Sequence, residues 1–202
     1  MSDATSAVRS PLNLVVLALL FEAPMHPYRM QRLITERGKD KVVNIGSRNS
    51  IAQTVARLER AGLIEVRGAE RDGGYPQRTI YALTDAGRTE LLESLHRLLA
   101  TPAREFPLFP AALSLMAITT VEATTRLLRL RREELARRVA QESETMAAAA
   151  ERLPRVLLIE DDYRVALLHA EIAWLDRTLR DLGNGDLSWD TGQLVRQSRE
   201  TR

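Results

Sequence analysis

The chain has 202 residues, 45% of them hydrophobic and 28% charged, with 29 Lys and Arg against 27 Asp and Glu and no cysteine. That length and apolar share are enough for one ordinary domain or two small ones with a packed core, and they argue against disorder along the whole chain. Without cysteine there are no disulfides or thiolate metal sites, and a reducing, cytoplasmic compartment is expected. No apolar run reaches the roughly 18 residues of a membrane span.

The longest apolar run, Leu12 to Phe21, contains Asn13 and is followed by no small-residue cleavage pattern, so it reads as a core helix over about Pro11 to Glu22. Pro11 suits its first turn, and Pro24 forces a stop. A second helix is expected from Pro27 to Arg37, ended by Gly38, with Tyr28, Met30, Leu33 and Ile34 mostly turned inward. A basic connector with Lys39 and Lys41 follows.

A third helix is expected from an N-cap near Ser47 to Ala61-Gly62. At 100° per residue, Ile51, Val55 and Leu58 fall within about 40° of one direction, while Asn49, Gln53, Ala56 and Arg60 fall within about 50° of the opposite one. The first set is a core face. The second carries amides, small residues and guanidinium groups with no carboxylate at its centre, which is the chemistry that meets base edges in a major groove.

The runs Leu63–Arg67 and Gln77–Leu83 read as strands of a hairpin whose polar, glycine-rich tip lies between them. Thr84 caps a fourth helix with Leu91, Leu92, Leu95, Leu98 and Leu99 at helical spacing. Three prolines between Pro102 and Pro110 mark a boundary. Beyond it a helical stretch is expected from Ala111 to about Leu153, then a last helix opened by Pro154 and ended by Gly183, with an apolar stripe of Ile159, Tyr163, Ala166, Leu167, Ala170, Trp174 and Leu175. Two striped helices cannot bury both faces against each other, so a second copy of the chain is the economical partner.

The expected fold is mainly α with a small β-hairpin: a winged helix-turn-helix domain over 10–100, a linker over 101–110, an antiparallel helical dimerisation domain over 111–183 that could also sense an effector, and a polar tail over 184–202 without assigned structure. Charge follows this division. Residues 27–82 carry eleven Lys and Arg against six Asp and Glu, a net of +5, whereas residues 101–202 carry fifteen against sixteen, a net of −1. A basic front half suits a polyanion, although a solvated surface can look the same.

The DNA-facing set is then Tyr28, Arg48, Asn49, Ser50, Gln53, Thr54, Arg57, Arg71, Gln77 and Arg78. Asn49, Gln53 and Arg57 would meet base edges, Arg48 and Ser50 would sit nearer the backbone, and Arg71, Gln77 and Arg78 on the hairpin would reach sugar and phosphate. Singly, an exposed Arg or Gln is ordinarily just solvated; it is the ordered set that points to DNA.

Several stretches resemble the PadR-like family of transcriptional regulators. Leu17-Ala18-Leu19-Leu20 followed by Met25-His26-Pro27-Tyr28 is similar to its first-helix motif. Asn49-Ser50-Ile51 with Arg57-Leu58-Glu59-Arg60-Ala61-Gly62-Leu63-Ile64 is similar to its recognition helix. Gly74-Tyr75-Pro76-Gln77-Arg78 with Tyr81-Ala82-Leu83-Thr84-Asp85-Ala86-Gly87-Arg88 is similar to its wing and next helix. Ala52-Gln53 stands where that family usually has Tyr-Pro, and Pro27 where Gly is common. Leu157-Leu158-Ile159 and Glu171-Ile172-Ala173-Trp174-Leu175 resemble the family's longer branch, which implies a homodimer that represses from a pseudo-palindromic operator and often answers to a small molecule.

Phe106, Phe109, Met116, Tyr163, Leu167, Ala170 and Trp174 are the candidates for the dimer core or an effector pocket, and Trp174 could serve either. An enzyme is not expected. Glu160, Asp161, Asp162, Glu171 and Asp176 share a helix, but His169 lies two residues from Glu171, not the three or four that a helical metal site needs, and there is no Gly-x-Ser-x-Gly elbow. No metal, cofactor or membrane partner is expected; the partners are double-stranded DNA, a second copy and an effector of unknown identity. The competing reading is a winged-helix module for protein–protein contact.

Overall fold

The computed structural model describes residues 10–46, 49–70, 78–193 and 196, and divides into two compact units, Met1–Arg104 and Glu105–Arg202. In the first unit α1 (Pro11–Glu22) begins where the Ser10 hydroxyl accepts the Asn13 N–H, with Pro11 in the first turn. Val16, Leu17, Leu19 and Leu20 are buried, so this helix is the axis of the unit's core. α2 (Pro27–Glu36) is capped by His26, whose Nδ1 accepts the Arg29 N–H, and buries Met30 and Ile34. Gly38 beyond it has φ 64°, which a residue without Cβ adopts freely. Tyr28, expected inward, is 61% exposed; it lies in the first turn, on the side away from Met30 and Ile34.

α3 (Ser50–Arg60) starts two residues later than an N-cap at Ser47 would place it: Asn49 is the N-cap and makes no side-chain capping bond, and Ser47 lies outside the described residues. It ends in a Schellman motif: Leu63 N–H donates to Leu58 O and Gly62 N–H to Glu59 O, with Gly62 at φ 70°. The antiparallel hairpin β1 (Ile64–Glu70) and β2 (Arg78–Leu83) follows, pairing Ile64 with Leu83, and one extra residue at Arg67 bulges β1. The Thr84 hydroxyl accepts the Gly87 N–H at the start of α4 (Asp85–Ala100) and donates to Gly62 O, tying the end of α3 to the start of α4. Gly87 has no substitute here, because a Cβ would lie 2.0 Å from Leu63 O.

The second unit departs from the expected single helix over 111–153. A short α5 (Leu108–Leu113) starts inside the expected linker, Pro110 being tolerated in a first turn whose N–H groups have no intrahelical acceptor. A single 3-10 turn over Met116–Ile118 and an extended Thr119 break the helix, and α6 (Val121–Ala150) restarts where the Thr120 hydroxyl accepts the Ala123 N–H. Another 3-10 turn, Arg155–Leu157, precedes α7 (Ile159–Asn184). Gly183 is helical, and the left-handed terminator is Gly185 at φ 86°.

α6 and α7 are antiparallel, since the bridges Arg131–Glu171 and Arg132–Asp176 lie early on α6 and late on α7, whereas Glu142–Arg164 lies later on α6 and earlier on α7. Leu128, Leu135, Leu175 and Leu182 form the seam. The described segment after α7 packs back on the unit: Trp189 Nε1 donates to Thr119 O at 2.8 Å and the Thr191 hydroxyl to Ala117 O at 2.9 Å, while Leu187 and Trp189 pack on the seam. The polarity of the surrounding residues conceals these two apolar anchors in the sequence. Among the described residues no helix is long and apolar enough to cross a membrane.

Candidate nucleic-acid interface

α3 presents two faces. Ile51, Val55 and Leu58 go into the core, and Asn49, Ala52, Gln53, Ala56, Arg57 and Arg60 are exposed. Ser50, half-buried, opens the helix. Thr54, expected in the DNA-facing set, is 3% exposed. It lies about 60° round the helix from Ile51, at the edge of the inward face, so its burial keeps a base edge from reaching it and it belongs to the packing of α3. Glu59 is exposed about 120° round the helix from Gln53, leaving the centre of the outer face free of carboxylate.

The two arginines of that face are held differently. Arg57 Nη1 donates to Asn13 Oδ1 at 3.2 Å, and the same oxygen accepts from the Ser10 hydroxyl at 2.9 Å. Asn13 is wholly buried and so acts as an anchor that fixes where the Arg57 guanidinium projects. Arg60 Nε donates to Ala56 O of its own helix. In the sequence Asn13 registers only as an interruption of an apolar run; its pairing 44 residues away carries no local signal.

At the hairpin, the Arg78 guanidinium lies 5.1 Å from the centre of the Tyr28 ring, which stacks on His26 at 6.2 Å and 23°. The structure thus brings Tyr28 and Arg78 together, and Arg29 and Arg32, which the sequence reading misses, border the same place. Their three-residue spacing on the outward side of α2 is the available signal. Arg48, Arg71 and Gln77 lie outside the described residues.

In the second unit Phe109 meets Trp174 edge-on at 6.1 Å, and the Arg131 guanidinium stacks on Phe109 at 3.5 Å. Phe109 and Met116 border a cavity of about 290 Å³ with Leu113, Leu128, Thr124 and Arg131; the Thr124 hydroxyl is buried and has no hydrogen-bond partner among the described residues. Trp174 is half-buried, Phe106 is 81% exposed, and Tyr163, Leu167 and Ala170 lie exposed along α7, apart from that cavity. The carboxylates of α7 serve as ion-pair partners: Glu171 for Arg131, Asp176 for Arg132, Asp161 for Arg164 and Asp162 for Arg155.

A helix pair whose second member has a polar outer face, followed by a hairpin wing and a capping helix, defines a winged helix-turn-helix unit, here followed by an antiparallel helical hairpin. Residues 16–93 match the transcriptional regulator PadR-like family. PadR of Bacillus subtilis, solved in complex with operator DNA, is similar over 85% of this chain and 97% of its own, at 16% identity and a TM-score of 0.67. A PadR-like transcriptional regulator from Bacillus cereus matches over 86% and 99%, at 19% identity and a TM-score of 0.58. The Bacillus subtilis protein in complex with p-coumaric acid matches over 82% and 98%, at 16% identity and a TM-score of 0.57. These likenesses are of fold. No curated protein is recognisably similar in sequence.

Proposed function

We propose that the chain is a homodimeric, sequence-specific DNA-binding regulator, a repressor of a pseudo-palindromic operator whose two α3 helices enter successive major grooves about one helical turn apart. The observation that carries this reading is the outer face of α3, where Gln53, Arg57 and Arg60 are exposed around a centre without carboxylate. An amide can bond adenine bidentately and a guanidinium can bond guanine. The operator complex of the Bacillus subtilis relative supports the same use of the fold.

The front unit is assigned to DNA and the second to dimerisation. Ile159, Tyr163, Ala166, Leu167 and Ala170 recur at helical spacing on one exposed side of α7, with the two alanines leaving room for a close helix. The cavity beside Phe109 and Met116 is the place for a small-molecule effector, and the p-coumaric acid complex of the relative is a parallel. An effector that binds one separation of the recognition helices better than the other would change DNA affinity by about 1–3 kcal/mol.

The test is selection of bound sequences from random duplex DNA, then titration with wild type, Gln53→Ala and Arg57→Ala. An inverted repeat should emerge, and each variant should relax preference at one position per half-site by about 1–3 kcal/mol. If no sequence is enriched and binding stays weak, the outer face of α3 serves protein contact instead.

A further inference from the structure

The turn between α1 and α2 is pinned to β2 by two backbone hydrogen bonds, Met25 N–H to Tyr81 O at 3.0 Å and Tyr81 N–H to Met25 O at 3.1 Å. This sets the first turn of α2 beside the start of β2 and encloses a cavity of about 240 Å³. Three arginines border it, Arg29, Arg32 and Arg78, together with His26, Tyr28 and the apolar Ile80; among the described residues of its lining there is no Asp or Glu. Arg32 has an ion pair with Glu36 at 3.3 Å, but both side chains are more than half exposed, and such a pair is weak.

Guanidinium groups gathered around one concavity repel each other unless an anion joins them, and their planar forks match the oxygens of a phosphate two at a time. The helix adds to this, since the cavity lies at the positive end of the α2 dipole. His26 Nδ1 accepts the Arg29 N–H, so a neutral His26 carries its own proton on Nε2, as a donor. The volume equals roughly eight waters, more than a bare phosphate fills, and the Tyr28 ring with Ile80 offers a dry wall for an attached sugar.

We propose that this cavity holds one backbone phosphodiester of duplex DNA, with its deoxyribose against Tyr28 and Ile80, and that Arg29 and Arg32 are binding residues alongside Arg78. The site rests on the DNA-binding function proposed for α3 and adds a phosphate anchor that sets register while carrying no base information. It also places α2, as well as α3, on the duplex.

Arg29→Gln, Arg32→Gln and the double variant test it, with Arg29→Lys as the conservative partner; both arginines are exposed, so the fold should survive, as circular dichroism would verify. Each variant should bind the selected operator and an unrelated duplex equally more weakly, by about three- to tenfold, with the slope of log K against log salt shallower by about 1 for each arginine neutralised. Arg29→Lys should restore the slope. A single neutral methylphosphonate linkage, moved along the operator, should weaken wild type at one position per half-site and leave the double variant unaffected there.

Unchanged affinity and slope in the double variant, with wild type binding normally, would overturn the site while leaving the DNA reading intact. Phosphorus NMR showing that inorganic phosphate binds through Arg29 at millimolar concentration, with DNA affinity indifferent to Arg29→Gln, would overturn it in favour of a free-anion site. Failure of wild type to bind any duplex would instead fall on the DNA reading, and this site would fall with it.

Discussion

The two units bury their apolar residues in different ways. In the first, α1 is enclosed by α3, α4 and β2, and Val16, Leu17, Met30, Ile34 and Leu58 are almost wholly buried. In the second, α6 and α7 bury one side of each other at Leu128, Leu135, Leu175 and Leu182, while Leu115, Ile118, Leu127 and Leu130 stay exposed, as does the Tyr163 and Leu167 side of α7. A helix wrapped on all sides is stabilised within its own chain; a helix pair with apolar outer faces lowers its free energy by finding a second pair. Stability in the first unit is therefore expected to be independent of protein concentration, and in the second to depend on it.

Two substitutions break that comparison in opposite directions. Leu58→Ala removes a fully buried side chain from the back of α3 and should cost about 2–5 kcal/mol in denaturant titrations at any protein concentration. Leu167→Asp puts a charge on the exposed stripe of α7 and should leave the denaturation of the front unit unchanged while converting dimer to monomer in sedimentation equilibrium. A wild type that sediments as a monomer, or a dimer untouched by Leu167→Asp, would take the exposed stripe out of the interface.

Much of the first unit is legible in the sequence because its signals are local. Pro11, Gly38, Gly62 and Thr84 each end or begin an element through their own backbone or side-chain chemistry, and the 3.6-residue period of Ile51, Val55 and Leu58 marks a core face directly. What escapes are pairings between distant positions. Thr54 reads as outward because it is polar, yet it lies about 60° round the helix from Ile51, at the edge of the inward face, and is buried. The anchoring of Arg57 by Asn13 and the gathering of Arg29, Arg32 and Arg78 depend on how three elements meet. In the second unit the drifting leucine spacing conceals the break at Thr119-Thr120, where a hydroxyl cap competes with a helix that could have run on.

The segment after α7 sharpens the comparison on a smaller scale, because it adds to the second unit an interaction that needs no partner chain. Trp189→Phe keeps the ring against the seam and deletes only the hydrogen bond to Thr119 O. The expected loss is about 0.5–1.5 kcal/mol. It should appear as faster proteolysis beyond Gly185, with the melting of the front unit unaltered; equal cleavage of wild type and variant would mean that ring packing alone holds the segment.

The smallest effect belongs to the first unit, where the end of α1 meets the end of α2. Arg37 bonds Glu22 through two forks, Nη1 to Oε1 at 2.6 Å and Nη2 to Oε2 at 2.8 Å, with both side chains nearly half exposed. The hydrogen bond from Arg37 holds the Glu22 carboxyl below its ordinary value of 4.5, against an opposing desolvation that outweighs the further help of the Arg37 charge. A carboxyl depressed in the folded state contributes stability that is fully present above 4.5 and is lost as pH falls through the lower, folded value. Solvent screening limits that contribution to about 0–1 kcal/mol. Arg37→Gln should therefore be slightly less stable than wild type at neutral pH, and the gap should close once Glu22 is protonated in both folded and unfolded chains. High salt at neutral pH should narrow the same gap. A gap that persists in acid and in salt would mean that Arg37 acts by packing its stem on α1, so that the helix ends are joined by packing rather than by charge.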